Sequence, residues 1–188
     1  MRSFWLAAVA VLLGCASPEE TPGQPASETA AEAVLLSVWE PSPDEAVERM
    51  LRLTSLQPGE VHFDLGSGDG RFVLAAATLG AHSTGYEIDP ELIESSRSTI
   101  SQAGLEDRAR ILNEDLLKAD FASADVVTMY LTPESYPPLV PLLEVKLREG
   151  ARIAAYKFPV PGWNPDKIER WQDLDPDIPL HEVFFYQR

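Results

Sequence analysis

Residues 64–70 read Asp-Leu-Gly-Ser-Gly-Asp-Gly, between a short apolar run, Val61 to Leu65, and an alanine-rich apolar stretch, Phe72 to Leu79. Glycines at 66, 68 and 70 interrupt any regular element and supply the positive φ that a tight turn needs. Strand, glycine-rich turn and helix in that order are the first step of an open α/β sheet, and such sheets bind ligands at that step. The rest of the chain repeats the alternation. Helices are expected over 43–56, where Val47, Met50, Leu51 and Leu53 fall near one face, and over 90–102, opened by Asp89-Pro90 and stopped near Gly104. Residues 134–148 read as another helix, its start delayed or distorted by Pro137, Pro138 and Pro141. Strands are expected at 83–88, 110–112, 151–156 and 182–187, and at 124–131, a continuous apolar run of the kind buried on both faces. The expected fold is α/β, a mostly parallel sheet with helices on both faces.

The 188 residues suffice for one domain with a core, and the 45% hydrophobic and 24% charged content is that of a folded protein. Thirty acidic against 15 basic residues give a net charge of -15, which repels phosphate backbones and excludes nucleic acid as the expected partner; a basic, lysine-bearing protein is easier to accommodate. A single cysteine excludes an internal disulfide, and His62, His82 and His181 lack ligand spacing, so no metal is expected. The N-terminus has targeting character. Arg2 precedes the apolar run Phe4–Leu13, and Leu12-Leu13-Gly14-Cys15 resembles a bacterial lipobox, departing from it at Leu13. The expected organisation is a signal peptide over 1–15 with Cys15 lipidated, a flexible Pro/Ala/Glu-rich tether over 16–37 and a folded domain over 38–188. That places the protein at the cell envelope, anchored to the membrane by lipid, with the outer membrane weakly favoured by Ala16; it is cytoplasmic if the signal is unused.

Asp64 carries the chemistry of the glycine motif. The spacing is G-x-G-x-G rather than the G-x-G-x-x-G of most dinucleotide folds, and a carboxylate just before the first glycine opposes a pyrophosphate. It suits a ligand bearing an ammonium or sulfonium, which selects S-adenosylmethionine over NAD. Glu87 ends the second strand, where an acid can accept both ribose hydroxyls. Ile88 beside it is placed to pack on adenine, and Asp115, after the third strand, to accept the adenine amino group. Taken singly, each has an ordinary reading as a strand-end carboxylate or a cap. All fall at the carboxyl ends of neighbouring strands and so converge on one crevice.

The segments HFDLGSGDGRFVLAAA, GYEIDPELIESSR and NEDLLKADFASADVVTMYL resemble class I S-adenosylmethionine-dependent methyltransferases. The helix at 43–56 with PGEVHFDLGSGDGRF, the YLTPE segment and KFPVPGW at 157–163 are similar to a smaller family, that of the ATP synthase c-subunit lysine N-methyltransferase and its bacterial relatives. The resemblance covers about residues 38–170. It implies a Rossmann-like fold of seven strands in reduced form, since only about 25 residues separate Tyr156 from the last strand. It implies that Asp64, Gly66, Ser67, Gly68 and Gly70 hold the methionine part of the cofactor, and that Ser42, in Pro41-Ser42-Pro43, belongs to an element closing over it. Tyr130 and Thr132 end the fourth strand, where the acceptor usually enters. Tyr130, Phe158 and Trp163 are candidates for an apolar acceptor channel, against ordinary core packing. The expected activity is transfer of a methyl group to a protein lysine. Two alternatives stand beside it: a non-catalytic envelope lipoprotein that keeps the fold as a binding module, and methylation of a small molecule.

Overall fold

The computed structural model describes residues 40–173 and 179–188. The expected signal peptide, Cys15 and the tether lie outside the described residues. Seven strands form one sheet in the order β3-β2-β1-β4-β5-β7-β6. They are β1 Val61–Leu65, β2 His82–Glu87, β3 Ala109–Asn113, β4 Val126–Met129, β5 Arg152–Tyr156, β6 Lys167–Trp171 and β7 His181–Gln187. β1 to β5 run parallel, and β7 runs antiparallel between β5 and β6. The helices are α1 Asp44–Leu53, α2 Arg71–Thr78, α3 Pro90–Gln102 and α4 Tyr136–Lys146.

Side-chain alternation along β1 divides the protein into two faces. Phe63 and Leu65 point into one apolar cluster with Val127, Met129, Ile153 and Ala155 of the neighbouring strands and with Leu139 and Leu143 of α4. On the other face Met50 and Leu51 of α1 and Phe72 and Ala76 of α2 meet Val126 and Ala154. Val73 and Ala77 of α2 join Ile93 and Ile100 of α3 over β3. His62 and Asp64, also buried, belong to this second face.

Several elements differ from expectation for identifiable reasons. β4 is confined to Val126–Met129, shorter than its apolar run. The prolines of α4 are tolerated: a 3-10 turn at Pro133–Ser135 leads in, Pro137 and Pro138 fall in the first turn, and only Pro141 interrupts the ladder. β6 has no counterpart in the sequence reading. It is an edge strand whose charged residues pair sideways, Glu169 with Arg49 at 2.5 Å and Arg52 at 2.7 Å, and Arg170 with Glu182 at 2.7 Å. All seven strands are therefore present. The reduction falls on the connection from β5 to β6, which holds the segment 157–163 in place of a helix.

That segment covers the α4 face as a helix would. Val160 is buried, its amide donates to the Tyr186 hydroxyl at 2.9 Å, and the Tyr136 hydroxyl donates to the Phe158 carbonyl at 3.1 Å. Tyr186→Phe would leave the buried Val160 amide unpaired. We expect a loss of about 1–3 kcal/mol, read as a lowered urea midpoint with unchanged m-value.

Candidate active site

The Gly66–Gly70 turn is set by left-handed backbone at three alternate positions, with φ of 79° at Gly66, 52° at Gly68 and 80° at Gly70. Its amides are tied to β2. Gly66 and Ser67 both donate to the Tyr86 carbonyl, at 3.0 and 2.9 Å, and Gly68 donates to Glu87 Oε2 at 2.8 Å. Glu87 Oε1 accepts from the amides of Ile88 at 2.8 Å and Asp89 at 2.9 Å, so three backbone donors fix the carboxylate at the strand end. Close approach here requires glycine: a Cβ at Gly85, the β2 residue paired with Asp64, would lie 2.5 Å from Ser67 Oγ, and one at Gly66 2.8 Å from Leu131.

A single crevice is lined by Asp64, Gly66, Ser67, Gly68, Asp69 and Phe72 from the turn and α2, by Glu40, Pro41 and Ser42 ahead of α1, and by Arg71 and Tyr130. Arg71 links its two sides. The guanidinium donates to Asp69 at 2.5 Å and to the Ser42 carbonyl, pinning the Pro41-Ser42-Pro43 segment against the turn. Ser67 Oγ is buried in this wall without a hydrogen-bond partner among the described residues. Tyr130 donates to Glu40 Oε2 at 2.7 Å and meets the ring of Tyr156 edge-on.

Of the sequence-predicted residues, Ser42, Asp64, Gly66, Ser67, Gly68 and Tyr130 line the crevice, and Gly70 closes the turn ahead of α2. Glu87 and Ile88 stand beside the turn. Asp115 follows β3, its Oδ1 accepting from the Leu117 amide at 2.9 Å, so it caps a turn. Thr132 is drawn toward the 3-10 turn, 3.4 Å from Ser135 Oγ. Trp163 is not brought to Tyr130. It lies on the opposite face, edge-on to Tyr186, with its indole nitrogen donating to Glu144 at 3.3 Å and Arg188 over its ring. Phe158 packs with the same cluster, so the expected channel of Tyr130, Phe158 and Trp163 does not assemble.

Beneath the turn runs a buried polar chain that the sequence reading missed. Thr128 donates to Asp64 Oδ1 at 2.7 Å, His62 Nε2 lies 2.9 Å from Thr128 Oγ1, and His62 Nδ1 lies 2.7 Å from Ser83 Oγ. His62 is thus held on both ring nitrogens by hydroxyl groups, Thr128 on one side and Ser83 on the other. The signals were a histidine in a buried strand and the one hydroxyl in the apolar run Val126–Met129. Arg71, Glu40 and Lys157 were also missed; all are charged residues outside the glycine motif's pattern.

Burial pushes the Asp64 carboxyl from 3.8 up to about 8, with Thr128 opposing and the charges of Glu87 and Asp69 adding to the rise. Burial likewise holds His62 neutral, lowering it from 6.5 to about 3. Between pH 3.8 and 8 the folded chain keeps a proton on Asp64 that the unfolded chain has released, so this contribution to stability declines as pH rises. His62 acts in the opposite sense, and only below 6.5. Wild-type stability is therefore expected to fall between pH 6.5 and 8, and Asp64→Asn to flatten that fall, in urea denaturation at the two pH values.

The crevice suits S-adenosylmethionine: a carboxyl below the turn for a cation, a hydroxyl in the wall without a partner among the described residues, and glycine backbone along one side. Comparison with known proteins points the same way. Residues 64–167 match the family model described as the ANTKMT methyltransferase domain. A protein-lysine N-methyltransferase of Saccharolobus islandicus is 32% identical over 78% of this chain and 90% of its own length. The mouse lysine N-methyltransferase of the ATP synthase c-subunit is 39% identical over 67% of this chain; the match spans 51% of that enzyme, about half its length. Among solved structures, an RNA methyltransferase from Salinibacter ruber, in complex with S-adenosyl-L-homocysteine, is 36% identical with a TM-score of 0.71, covering 79% of this chain and 93% of that one.

Proposed function

Because the chain belongs to the ANTKMT methyltransferase family and is an S-adenosylmethionine-dependent enzyme, we propose that its acceptor is the ε-amine of a protein lysine. The observation that carries this reading is the similarity to the Saccharolobus lysine methyltransferase over nearly that protein's whole length. The crevice supports it, since its outer rim is a carboxylate and a tyrosine, Glu40 and Tyr130. The Salinibacter relative favours RNA as a second reading. The net charge of -15 opposes a polyphosphate acceptor.

When bound, S-adenosylmethionine supplies a methyl group already activated by its sulfonium, so that an amine can displace the thioether without metal or covalent intermediate. The residues of this chain bind, orient and exclude water. Asp64 and Ser67, with the glycine amides, would hold the methionine part. Glu87, fixed by three amides, is preorganised to accept ribose hydroxyls, and Ile88 and Asp115 would flank adenine. The Pro41-Ser42-Pro43 segment, pinned by Arg71, covers the turn. Tyr130 stands at the opening, where the arriving lysine must shed its proton before it reacts, because an ammonium has no lone pair.

The test is incubation with methyl-labelled S-adenosylmethionine and either a lysine-rich protein or bulk RNA. Methyl-lysine in the protein hydrolysate is expected, lost in Asp64→Ala together with binding of S-adenosylhomocysteine in calorimetry. Label confined to RNA or to small molecules overturns the lysine reading.

We also propose, on the apolar run and Leu12-Leu13-Gly14-Cys15, that Cys15 carries lipid and places the domain at the envelope. Labelled palmitate fed to an expressing bacterium should enter the wild-type chain and not Cys15→Ser.

A further inference from the structure

At the rim of the crevice a lysine of the chain itself stands among groups suited to receive one. Lys157 Nζ lies 3.2 Å from Glu40 Oε2, 3.2 Å from the Tyr130 hydroxyl and 5.7 Å from the centre of the Tyr130 ring. A carboxylate and a phenol oxygen are two acceptors for one ammonium, which meets Tyr130 at the hydroxyl end of the ring. Glu40 and Tyr130 both line the crevice that holds Asp64 and the glycine turn. The pairing is mutual: the Tyr130 bond holds Glu40 below the usual carboxylate range, and Tyr130 and Glu40 raise Lys157.

The backbone under Lys157 is unusual as well. Its φ is 67°, and the Phe158 amide donates to the Tyr156 carbonyl at 2.8 Å across it. That is a γ-turn of the rarer, strained hand, with a lysine where glycine would cost less. The strain persists because the Lys157 amide is itself bonded to the Glu182 carbonyl at 2.8 Å. A surface lysine needing only solvent has no use for such a turn, whereas one aimed at a fixed slot does.

We propose that Glu40 and Tyr130 form the slot that receives the acceptor's ε-ammonium, and that Lys157 occupies it in the free enzyme as an internal stand-in which the substrate lysine must displace. This rests on the lysine reading of the function and adds the residues that recognise the amine and the group that competes for them. The slot is a place of arrival for the charged form, so its residues act on acceptor binding. The alternative role for the same contacts is a latch that merely ties the segment ahead of α1 to β5.

The two roles predict different signs. Removing the stand-in with Lys157→Met frees the slot, and kcat/KM for poly-L-lysine should rise about two- to fivefold, the worth of a partly exposed ion pair. Removing the slot with Glu40→Gln or Tyr130→Phe should lower it by a similar factor. S-adenosylhomocysteine affinity, measured by calorimetry on the same proteins, should stay near wild type in Lys157→Met. A latch moves all three variants the same way and weakens cofactor binding with them, which overturns the proposal. A wild-type protein that binds S-adenosylhomocysteine yet methylates no lysine of any protein offered overturns the functional reading itself, and the slot with it. Lysine methylation by the wild type without opposite signs in the variants overturns the slot alone.

Discussion

A carboxyl group buried under a turn of glycines is the constraint on which the rest of the site depends. Asp64 is almost wholly out of water, and its one side-chain donor among the described residues is the Thr128 hydroxyl at 2.7 Å. A carboxylate so placed is costly, and the fold answers by holding the proton on it up to about pH 8. The arrangement suits a cation that takes the proton's place, the part proposed for the cofactor. Gly85 leaves room for Ser67, Gly66 leaves room for Leu131, and Glu87 spends its oxygens on backbone amides rather than on a cation that would compete.

The two faces of the sheet divide the work. α1, α2 and α3 lie on the face where His62 and Asp64 point, so the polar chain Ser83–His62–Thr128–Asp64 is sealed between sheet and helices. The opposite face is apolar and is covered by α4 and by the segment 157–163 in place of a helix. Replacing a helix by that short segment has a consequence at the site. The chain turns sharply as it leaves β5, and the residue at that turn is Lys157, delivered to the rim beside Tyr130. Trp163, at the segment's far end, is used up as cover for Tyr186 and α4.

What could be read from the sequence was what repeats or breaks a pattern locally. β1 and α3 were legible to the residue because an apolar run ends at a glycine and a helix opens at Asp89-Pro90, whose carboxylate does cap it, accepting from the Glu91 amide at 2.8 Å. The glycine turn and its acid were legible for the same reason. β6 was not, because an edge strand stabilised by sideways ion pairs carries no apolar signal. Glu40 and Lys157 were illegible for a different reason. Their meaning lies in partners 90 and 117 positions apart, Glu40 with Tyr130 and Glu40 with Lys157, and no local window contains such pairs. The aromatic channel failed on the same ground: Tyr130 and Trp163 are close in composition logic but lie on opposite faces of the sheet.

Asp64 and Glu40, two carboxyl groups of one crevice, are set to opposite states by their surroundings. Asp64, desolvated at the floor, is held neutral; Glu40, exposed at the rim and bonded to Tyr130, is held ionised. A ligand with a fixed positive charge gains most by reaching the floor, where it can displace a proton and meet a carboxylate screened by almost no water. A cation that must afterwards become neutral in order to react gains nothing from such depth, because a strong buried partner would hold its proton in place. For it the useful carboxylate is a weak, solvated one at the entrance, strong enough to select an amine and weak enough to release it. A crevice with a neutral carboxyl at its floor and an ionised one at its rim thus suits the two cations of the proposed reaction, a cofactor held deep and an amine held only at the entrance.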